Sequence, residues 1–317
     1  MKPPRGLAGV LLRAGITAFA FWWIFRLVDQ NALAHTLRGA DLAWLVASAA
    51  VFFLSQLGCV VRWHLLAPKH PAVTWPFLAN SFFVASFFNT FLPTTVGGDV
   101  VRGYDLIKTT GEWRPALASV LADRLIGMVG FVSFAGAAFF LFPPARQDPV
   151  IRWAFLGFCA VVLAAFAVLG SRRVLTAMLK PFSKIGLGAL SSHAAQFQEA
   201  LLSYLQQPGR LAAAFGVTLI LQTLAILLYA CVSKALGLGV PLLFFVLAVP
   251  IVITISQVPV SLNGWGIREG ATVLIFSRVQ VAAAQALSLS LICAVIPILS
   301  AVVGAGLFLA RRRRKKG

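Results

Sequence analysis

Long apolar segments recur along the whole chain and constrain its fold more than any other feature. These segments lie at about 7–28, 42–66, 75–92, 115–142, 150–170, 210–236, 241–260 and 281–310. A helix needs about 20 mostly apolar residues to cross the hydrocarbon core of a bilayer. Hydrophobic residues make up 60% of the 317 residues and charged residues 11%, which leaves too little polar sequence to cover a water-soluble globule. The sequence therefore predicts an all-α polytopic membrane protein and argues against a soluble enzyme.

The charged residues indicate a membrane surface as the partner of the polar loops. The formal net charge is +18, and many of the basic residues lie in the tail 311–316 and in the stretch 172–184. Cytoplasmic loops that face anionic lipid headgroups explain both groups, so no nucleic acid is expected. The cysteines and histidines show no metal-binding spacing. No metal and no cofactor are therefore predicted.

Positively charged residues also predict which way the segments run. Cytoplasmic loops of membrane proteins carry an excess of Lys and Arg. With both termini and the loops 67–74, 108–114 and 171–210 in the cytoplasm, 17 Lys and Arg residues lie on that side, Arg62 among them, and 6 lie on the other. The reversed orientation inverts this ratio. We therefore expect both termini in the cytoplasm.

The first apolar segment has two interpretations. A basic start followed by an apolar run that ends in Ala18-Phe19-Ala20 resembles a signal peptide. The apolar run continues to Phe25, however, and is long enough to span the bilayer. This length favours a retained membrane anchor.

The predicted orientation makes two segments enter the membrane and return to the same side. A first hairpin is expected at about 75–108, broken near Pro93, because the loops before and after it both lie in the cytoplasm. A second hairpin is expected at about 241–278, entering from the opposite side. Non-helical backbone at such depth must be buried in protein or line a wet cavity. We therefore predict a single transmembrane domain, 1–317, with about six full spans plus two oppositely entering re-entrant helical hairpins.

A ten-residue frame occurs once in each hairpin. Pro93–Arg102 aligns without gaps with Pro259–Arg268, and both stretches share a proline, a glycine five residues later and an arginine nine residues later. Proline ends a helix, and glycine permits a reversal of the chain. The residues expected to shape the backbone are Pro93, Gly97, Gly98, Pro259, Asn263, Gly264 and Gly266. An inverted repeat with broken helices is typical of secondary transporters.

Ionisable side chains in or beside the hairpins need a partner or a cavity. The arginine of each frame follows a glycine break by about one turn, close to a helix N-terminus that favours anions. The predicted headgroup-binding residues are Arg102, Arg124 and Arg268. The predicted charge-balancing or proton-coupling residues are Asp99, Asp123 and Glu269. We expect cross-pairs between the hairpins, for example Glu269 with Arg102 or Arg124, and Asp99 or Asp123 with Arg268. Purely structural ion pairs are the alternative interpretation.

Three sequence blocks together identify a family resemblance. The blocks Asn89–Arg102, Ser119–Gly127 and Pro259–Glu269 resemble the lysylphosphatidylglycerol synthase transmembrane (flippase-like) family, and the resemblance covers nearly the whole chain. In two-domain members of that family, the membrane part moves aminoacylated phospholipid between leaflets and a separate soluble domain makes it. No aminoacyltransferase domain is present in this sequence, so we expect that this chain does not synthesise lysyl-lipid. The resemblance implies a multi-pass protein of the bacterial inner (plasma) membrane.

These observations predict a lipid transporter rather than an enzyme. The expected substrate is an anionic phospholipid or a polyprenyl-phosphate-type lipid, which alternating access would move between leaflets. One alternative is a membrane-embedded transferase acting on a lipid-linked phosphate or sugar. The other is a non-transporting scaffold for a separate lipid-modifying enzyme.

The longest connection, 171–209, contains one apolar face. Apolar residues recur there at three- and four-residue steps, as in an amphipathic helix: Leu187, Leu190, Ala194, Phe197, Leu201 and Leu205. A helix in the cytoplasmic interface and an ordinary packed connector helix both fit this pattern.

Overall fold

The described part of the chain is helical and contains no strand. The computed structural model describes residues 5–91, 97–141, 143–171, 173–174, 196–256 and 261–314. In chain order, its helices are α1 (Arg5–Leu27), α2 (Gln30–Arg38), α3 (Leu42–Leu66), α4 (Trp75–Phe91), α5 (Gly97–Thr110), α6 (Trp113–Leu141), α7 (Pro143–Gln147), α8 (Pro149–Gly170), α9 (Pro208–Ala235), α10 (Leu242–Ser256), α11 (Ile267–Phe276) and α12 (Ala283–Arg314).

Five helices of the described residues are long and apolar enough to cross a membrane, namely α3, α6, α8, α9 and α12. Their bounds follow the apolar segments of the sequence, and the segment 42–66 coincides with α3. The prediction of a polytopic helical membrane protein is therefore confirmed. The first apolar segment forms α1, which has 23 residues.

Polar residues at the ends of the apolar runs fix where the long helices begin. Asp41 precedes α3, and its Oδ1 accepts a hydrogen bond of 2.8 Å from the backbone N–H of Ala43. Asp148 precedes α8 and accepts from the N–H groups of Val150 and Ile151. Such N-caps satisfy backbone donors that the first turn leaves without a helical partner.

The helices pack in two groups that share the order long, short, short, long. The first group is α3–α4–α5–α6, and the second is α9–α10–α11–α12. The long helix that opens each group packs along that of the other, since α3 lies against α9. In addition, α4 packs against α12, and α10 packs against α6. The first short helix of each group is therefore held by the last long helix of the other group.

The break in the first group brings the start of α5 against α4. Pro93 and its neighbours 92–96 lie outside the described residues. The N–H of Gly98 donates to Oδ1 of Asn89 at 2.7 Å, and a Cβ on Gly98 would lie 2.4 Å from the carbonyl oxygen of Ala85. Only glycine allows this close approach of the two helices.

The break in the second group uses left-handed backbone. Pro259 lies outside the described residues, but Asn263, Gly264 and Gly266 have φ values of 49°, 75° and 84°, a region that glycine and asparagine adopt most readily. A Cβ on Gly266 would lie 2.6 Å from Cβ of Ala20, and α1 packs against α11 here. The first helix of the chain, α1, therefore packs directly against this turn.

The connector 171–209 is described only in part. Residues 172 and 175–195 lie outside the described residues, including three positions of its apolar face, while 196–202 are helical. The described end packs into an apolar cluster with α3, α6 and α9 through Leu201 and Tyr204. This end of the connector therefore contacts the helix bundle, and both interpretations of the connector stay predictions.

Tyr204 ties the connector to the end of α3. Its hydroxyl donates to the carbonyl oxygen of Leu66 at 2.6 Å. Burial raises the pKa of Tyr204 to about 12, against an opposing effect of Arg210, so the hydroxyl stays protonated near neutral pH. Arg210 also donates to the carbonyls of Leu65 and Ala67. The last carbonyls of α3 thus receive donors from the connector and from α9.

We expect Tyr204→Phe to lower the free energy of unfolding by about 1 kcal/mol, the usual contribution of one such hydrogen bond. The measurement is the heating midpoint of the monodisperse protein in detergent. Tyr104→Phe is the matched control, because Tyr104 is exposed. Equal midpoints for the two variants would contradict the role given to the Tyr204 hydroxyl.

Candidate functional site

Asp123 joins three helices through two buried ion pairs. It lies on α6, ten residues after the start of that helix at Trp113. Its Oδ1 accepts from Nε of Arg62 on α3 at 2.7 Å, and its Oδ2 accepts from Nη2 of Arg102 on α5 at 2.9 Å. Both oxygens of the carboxylate are therefore bonded to guanidinium groups.

Asp99 makes two further ion pairs, one with Arg102 and one with Arg124. It lies in the first turn of α5, with its Oδ1 3.6 Å from Nη1 of Arg102. Its Oδ2 bonds to Nε of Arg124, the residue that follows Asp123 on α6. The five side chains Arg62, Asp123, Arg102, Asp99 and Arg124 thus form one continuous set, here called the arginine–aspartate cluster. With three guanidinium groups and two carboxylates, the cluster carries one net positive charge.

Arg102 is the enclosed member of this cluster. Its guanidinium carbon lies 4.1 Å from the ring centroid of Trp63 and 5.4 Å from that of Phe82, positions typical of cation–π contacts. Its side chain is 6% exposed, whereas that of Arg124 is 27% exposed. Arg102 therefore organises the two aspartates, and Arg124 is the more accessible guanidinium.

A cavity of about 230 Å³ opens beside the cluster between α3, α6 and α9. Its polar lining includes Arg62, Asp123, Arg124 and Gln222, and its remaining wall is mostly apolar. Gly127 also lines this space, and a Cβ there would make an ordinary contact of 3.4 Å with Nη1 of Arg62. The arrangement provides guanidinium donors at the wall of a cavity between apolar helices, which suits a phosphate group.

A second cluster surrounds Glu269 at the start of α11. Its carboxylate accepts from the N–H of Gly266 at 2.6 Å and from Nε and Nη2 of Arg268 at 2.9 and 2.7 Å. The hydroxyl of Ser290 on α12 lies 3.3 Å away. Glu269 is fully buried, and Arg268 lies over the ring of Trp265. This arginine–glutamate cluster is neutral.

The ion pairs differ from the expected cross-pairs between the hairpins. Arg102 pairs with Asp99 and Asp123, and Arg268 pairs with its neighbour Glu269. The reason is local. The helix α5 packs directly on α6, while Glu269 turns back to the N–H of Gly266 and so meets the long side chain of Arg268. The predicted site residues therefore separate into two clusters rather than one.

The comparison with known families agrees with this architecture. The family described as lysylphosphatidylglycerol synthase TM region matches residues 10–313. The chain belongs to this family. The resemblance seen in the sequence is therefore confirmed over nearly the whole chain. A separate comparison of the chain with curated proteins found no match.

One charged residue of the arginine–aspartate cluster lies outside the predicted set of site residues. Arg62 is expected at the cytoplasmic side from the charge count, and in the structure it lies within α3 and bonds to Asp123 at 2.7 Å. The signal was present in the sequence, since Arg62 interrupts an apolar run and is followed by Trp63. The adjacent Trp63 is fully buried and carries the cation–π contact to Arg102.

Proposed function

We propose that this protein moves an anionic lipid, a phospholipid or a polyprenyl-phosphate-type lipid, between the two leaflets of a membrane. Membership of a family named for the membrane region of a lipid-modifying synthase supports a role in lipid handling. The guanidinium groups beside the cavity between α3, α6 and α9 support an anionic headgroup. The two groups of helices support a transport mechanism.

One observation carries the proposal, namely the gathering of three guanidinium groups beside a cavity. An arginine in the interior of a membrane protein costs a few kcal/mol on insertion, and within the arginine–aspartate cluster three guanidinium groups face two carboxylates. A lipid phosphate in the cavity would place a further negative charge beside them. Arg124 and Arg62 line that cavity, so we assign the headgroup contact to them first, with Arg102 holding the aspartates in place.

The first short helix of each group packs against the last long helix of the other group, an arrangement here called the exchanged packing. This arrangement supports alternating access. We propose that α4–α5 and α10–α11 are re-entrant hairpins that enter from opposite sides, with both termini in the cytoplasm. Because α4 packs against α12 and α10 packs against α6, each group makes the same kind of contact with the other, so states open to either side of the membrane would use equivalent contacts. This is the behaviour of inverted-repeat transporters. The neutral arginine–glutamate cluster would anchor the second hairpin.

Arg124→Gln is expected to slow lipid movement at least about tenfold. A hydrogen bond to a charged group contributes about 1.5–3 kcal/mol, and about 1.4 kcal/mol corresponds to a factor of ten. The measurement uses proteoliposomes with a fluorescent phosphatidylglycerol, whose outer-leaflet fraction is followed over time by chemical quenching. Arg114→Gln is the control, because Arg114 lies exposed in the first turn of the same helix.

Two results would overturn the proposal. The first is an equal rate for the unaltered protein, Arg124→Gln and empty vesicles, across phosphatidylglycerol and a polyprenyl phosphate. The second is a changed headgroup mass in lipids recovered from the vesicles, which would favour the transferase alternative, since transport leaves the lipid chemically intact.

A further inference from the structure

A second cavity lies between α4, α5 and α12. Its volume is about 330 Å³, which is in the lower range of small-molecule sites. Apolar and aromatic side chains form most of its wall, among them Phe88, Val100 and Phe308. Val100 and Tyr104 are exposed at its edge, so the cavity is open at the surface of the helix bundle.

An ion pair forms the polar end of this cavity. Arg311 of α12 donates from Nη1 to Oδ2 of Asp105 on α5 at 2.8 Å, and its Nε donates to Oδ1 of Asn80 on α4. The hydroxyl of Ser81 donates to the same Oδ2 of Asp105 at 2.7 Å. Three helices therefore meet at this pair.

Each member of the pair keeps one hydrogen-bonding atom for another partner. The described contacts of Arg311 use Nε and Nη1 and leave Nη2, while those of Asp105 all end on Oδ2 and leave Oδ1. The side chain of Arg311 is 30% exposed and that of Asp105 is 15% exposed. A guanidinium donor and a carboxylate acceptor are thus presented side by side, at the end of an apolar groove.

We infer that this groove binds a phospholipid whose headgroup carries both a phosphate and a primary ammonium, that is, the ethanolamine class. The phosphate would accept from Nη2 of Arg311, and the ammonium would donate to Oδ1 of Asp105. The acyl chain would lie along Phe88 and Phe308. The pair Arg311–Asp105 has no net charge, so it matches a zwitterionic headgroup, in contrast to the arginine–aspartate cluster, whose extra positive charge matches an anion.

The choline class does not meet the same requirement. A trimethylammonium group has equal charge but no N–H to donate to Oδ1 of Asp105, so this partly buried acceptor would be left without a hydrogen bond from the lipid. A glycerol headgroup leaves the phosphate charge uncompensated beside Asp105. The preference for an ethanolamine headgroup over the other two therefore depends on hydrogen bonds to Nη2 of Arg311 and Oδ1 of Asp105, and not on charge alone.

Photo-crosslinking in liposomes tests this inference on the full chain. A benzophenone amino acid replaces Tyr104 at the groove, or Val302 as control, since Val302 is exposed on α12 and does not line the groove. The liposomes contain equal amounts of ethanolamine, choline and glycerol phospholipids of the same acyl chains. Mass spectrometry then identifies the crosslinked lipid.

We expect ethanolamine lipid at position 104 to exceed choline lipid about fivefold, a difference within the range of one charged hydrogen bond, and to match the bulk ratio at position 302. Asp105→Asn and Arg311→Gln should each reduce the excess to below about twofold. Size-exclusion profiles of both variants establish that they fold. The comparison of ethanolamine lipid with choline lipid does not depend on these variants, because it uses the protein in which only Tyr104 is replaced.

Bulk proportions at position 104 would show an annular lipid only and would overturn the inference. An excess of glycerol phospholipid, or an ethanolamine excess that survives Asp105→Asn, would also overturn it. The readout is binding without movement across the bilayer. Failure here therefore leaves the Arg124 experiment on lipid movement unaffected, and failure of that experiment leaves the groove as a lipid site.

Discussion

Asp123→Asn is expected to destabilise the protein by about 3–5 kcal/mol, the usual effect of removing one partner from a buried ion pair. The asparagine keeps the shape of the side chain but removes the charge that faces Arg62 at 2.7 Å and Arg102 at 2.9 Å. The net charge of the arginine–aspartate cluster then rises from one to two positive charges between apolar helices. The measurement is the heating midpoint of the monodisperse protein in detergent, together with its yield from membranes.

Asp41→Asn is the control, because it makes the same chemical change at an exposed position outside the arginine–aspartate cluster. Asp41 is exposed and caps α3 through a bond of 2.8 Å to the N–H of Ala43, and asparagine caps a helix about as well as aspartate. We expect its midpoint to stay close to that of the unaltered protein. If Asp123→Asn is equally mild, the two guanidinium groups do not depend on Asp123, and the described cluster is not a unit.

The double variant Asp123→Asn with Arg62→Gln separates charge imbalance from lost packing. Removing one acid and one base returns the cluster to a single net positive charge. We therefore expect the double variant to be less destabilised than the sum of the single variants, as is typical of residues in one ion-pair network. Strict additivity would mean that the two residues act independently.

Local sequence patterns predict the helices well because each helix has its own apolar run. The segment 42–66 is α3, and 150–170 differs from α8 by one residue at its start. The short helix α2 was missed, since its nine residues are too few and too polar for the length criterion. Asp29, which caps its N-terminus, is the one signal for this helix that the sequence contains.

The contents of the site were harder to predict because they depend on which helices are neighbours. Asp99, Arg102, Asp123 and Arg124 could be chosen from the sequence as charges near the hairpins, and they do come together. Arg62 enters only because α3 packs against α6, which no local pattern contains. Arg268 and Arg102 share a sequence frame, but different acids bind them, since a frame repeats backbone geometry and not the surrounding side chains.

Gly304 sets the distance between the two groups of helices where α12 crosses α4. A Cβ on Gly304 would lie 2.0 Å from the carbonyl oxygen of Phe83 and 3.0 Å from Cβ of Phe87. About one turn away, the hydroxyls of Ser86 and Ser300 are hydrogen-bonded at 2.7 Å across the same contact. Small residues permit such close backbone approach between membrane helices. A methyl group here cannot be accommodated by a side-chain rotation, because the nearest atom belongs to the backbone.

We therefore expect Gly304→Ala to destabilise the protein by about 1–3 kcal/mol, the usual effect of overpacking, because α4 and α12 must move apart and strain the serine bond between them. Gly306→Ala, two residues along the same helix, meets nothing within 4 Å. Alanine favours a helix over glycine by up to about 1 kcal/mol, so this second variant should be neutral or slightly stabilising. The heating midpoint should thus fall for Gly304→Ala and stay unchanged or rise slightly for Gly306→Ala. Equal midpoints would mean that Gly304 makes no close contact with α4. The tight crossing of α4 and α12, which is part of the exchanged packing of the two groups, would then be contradicted.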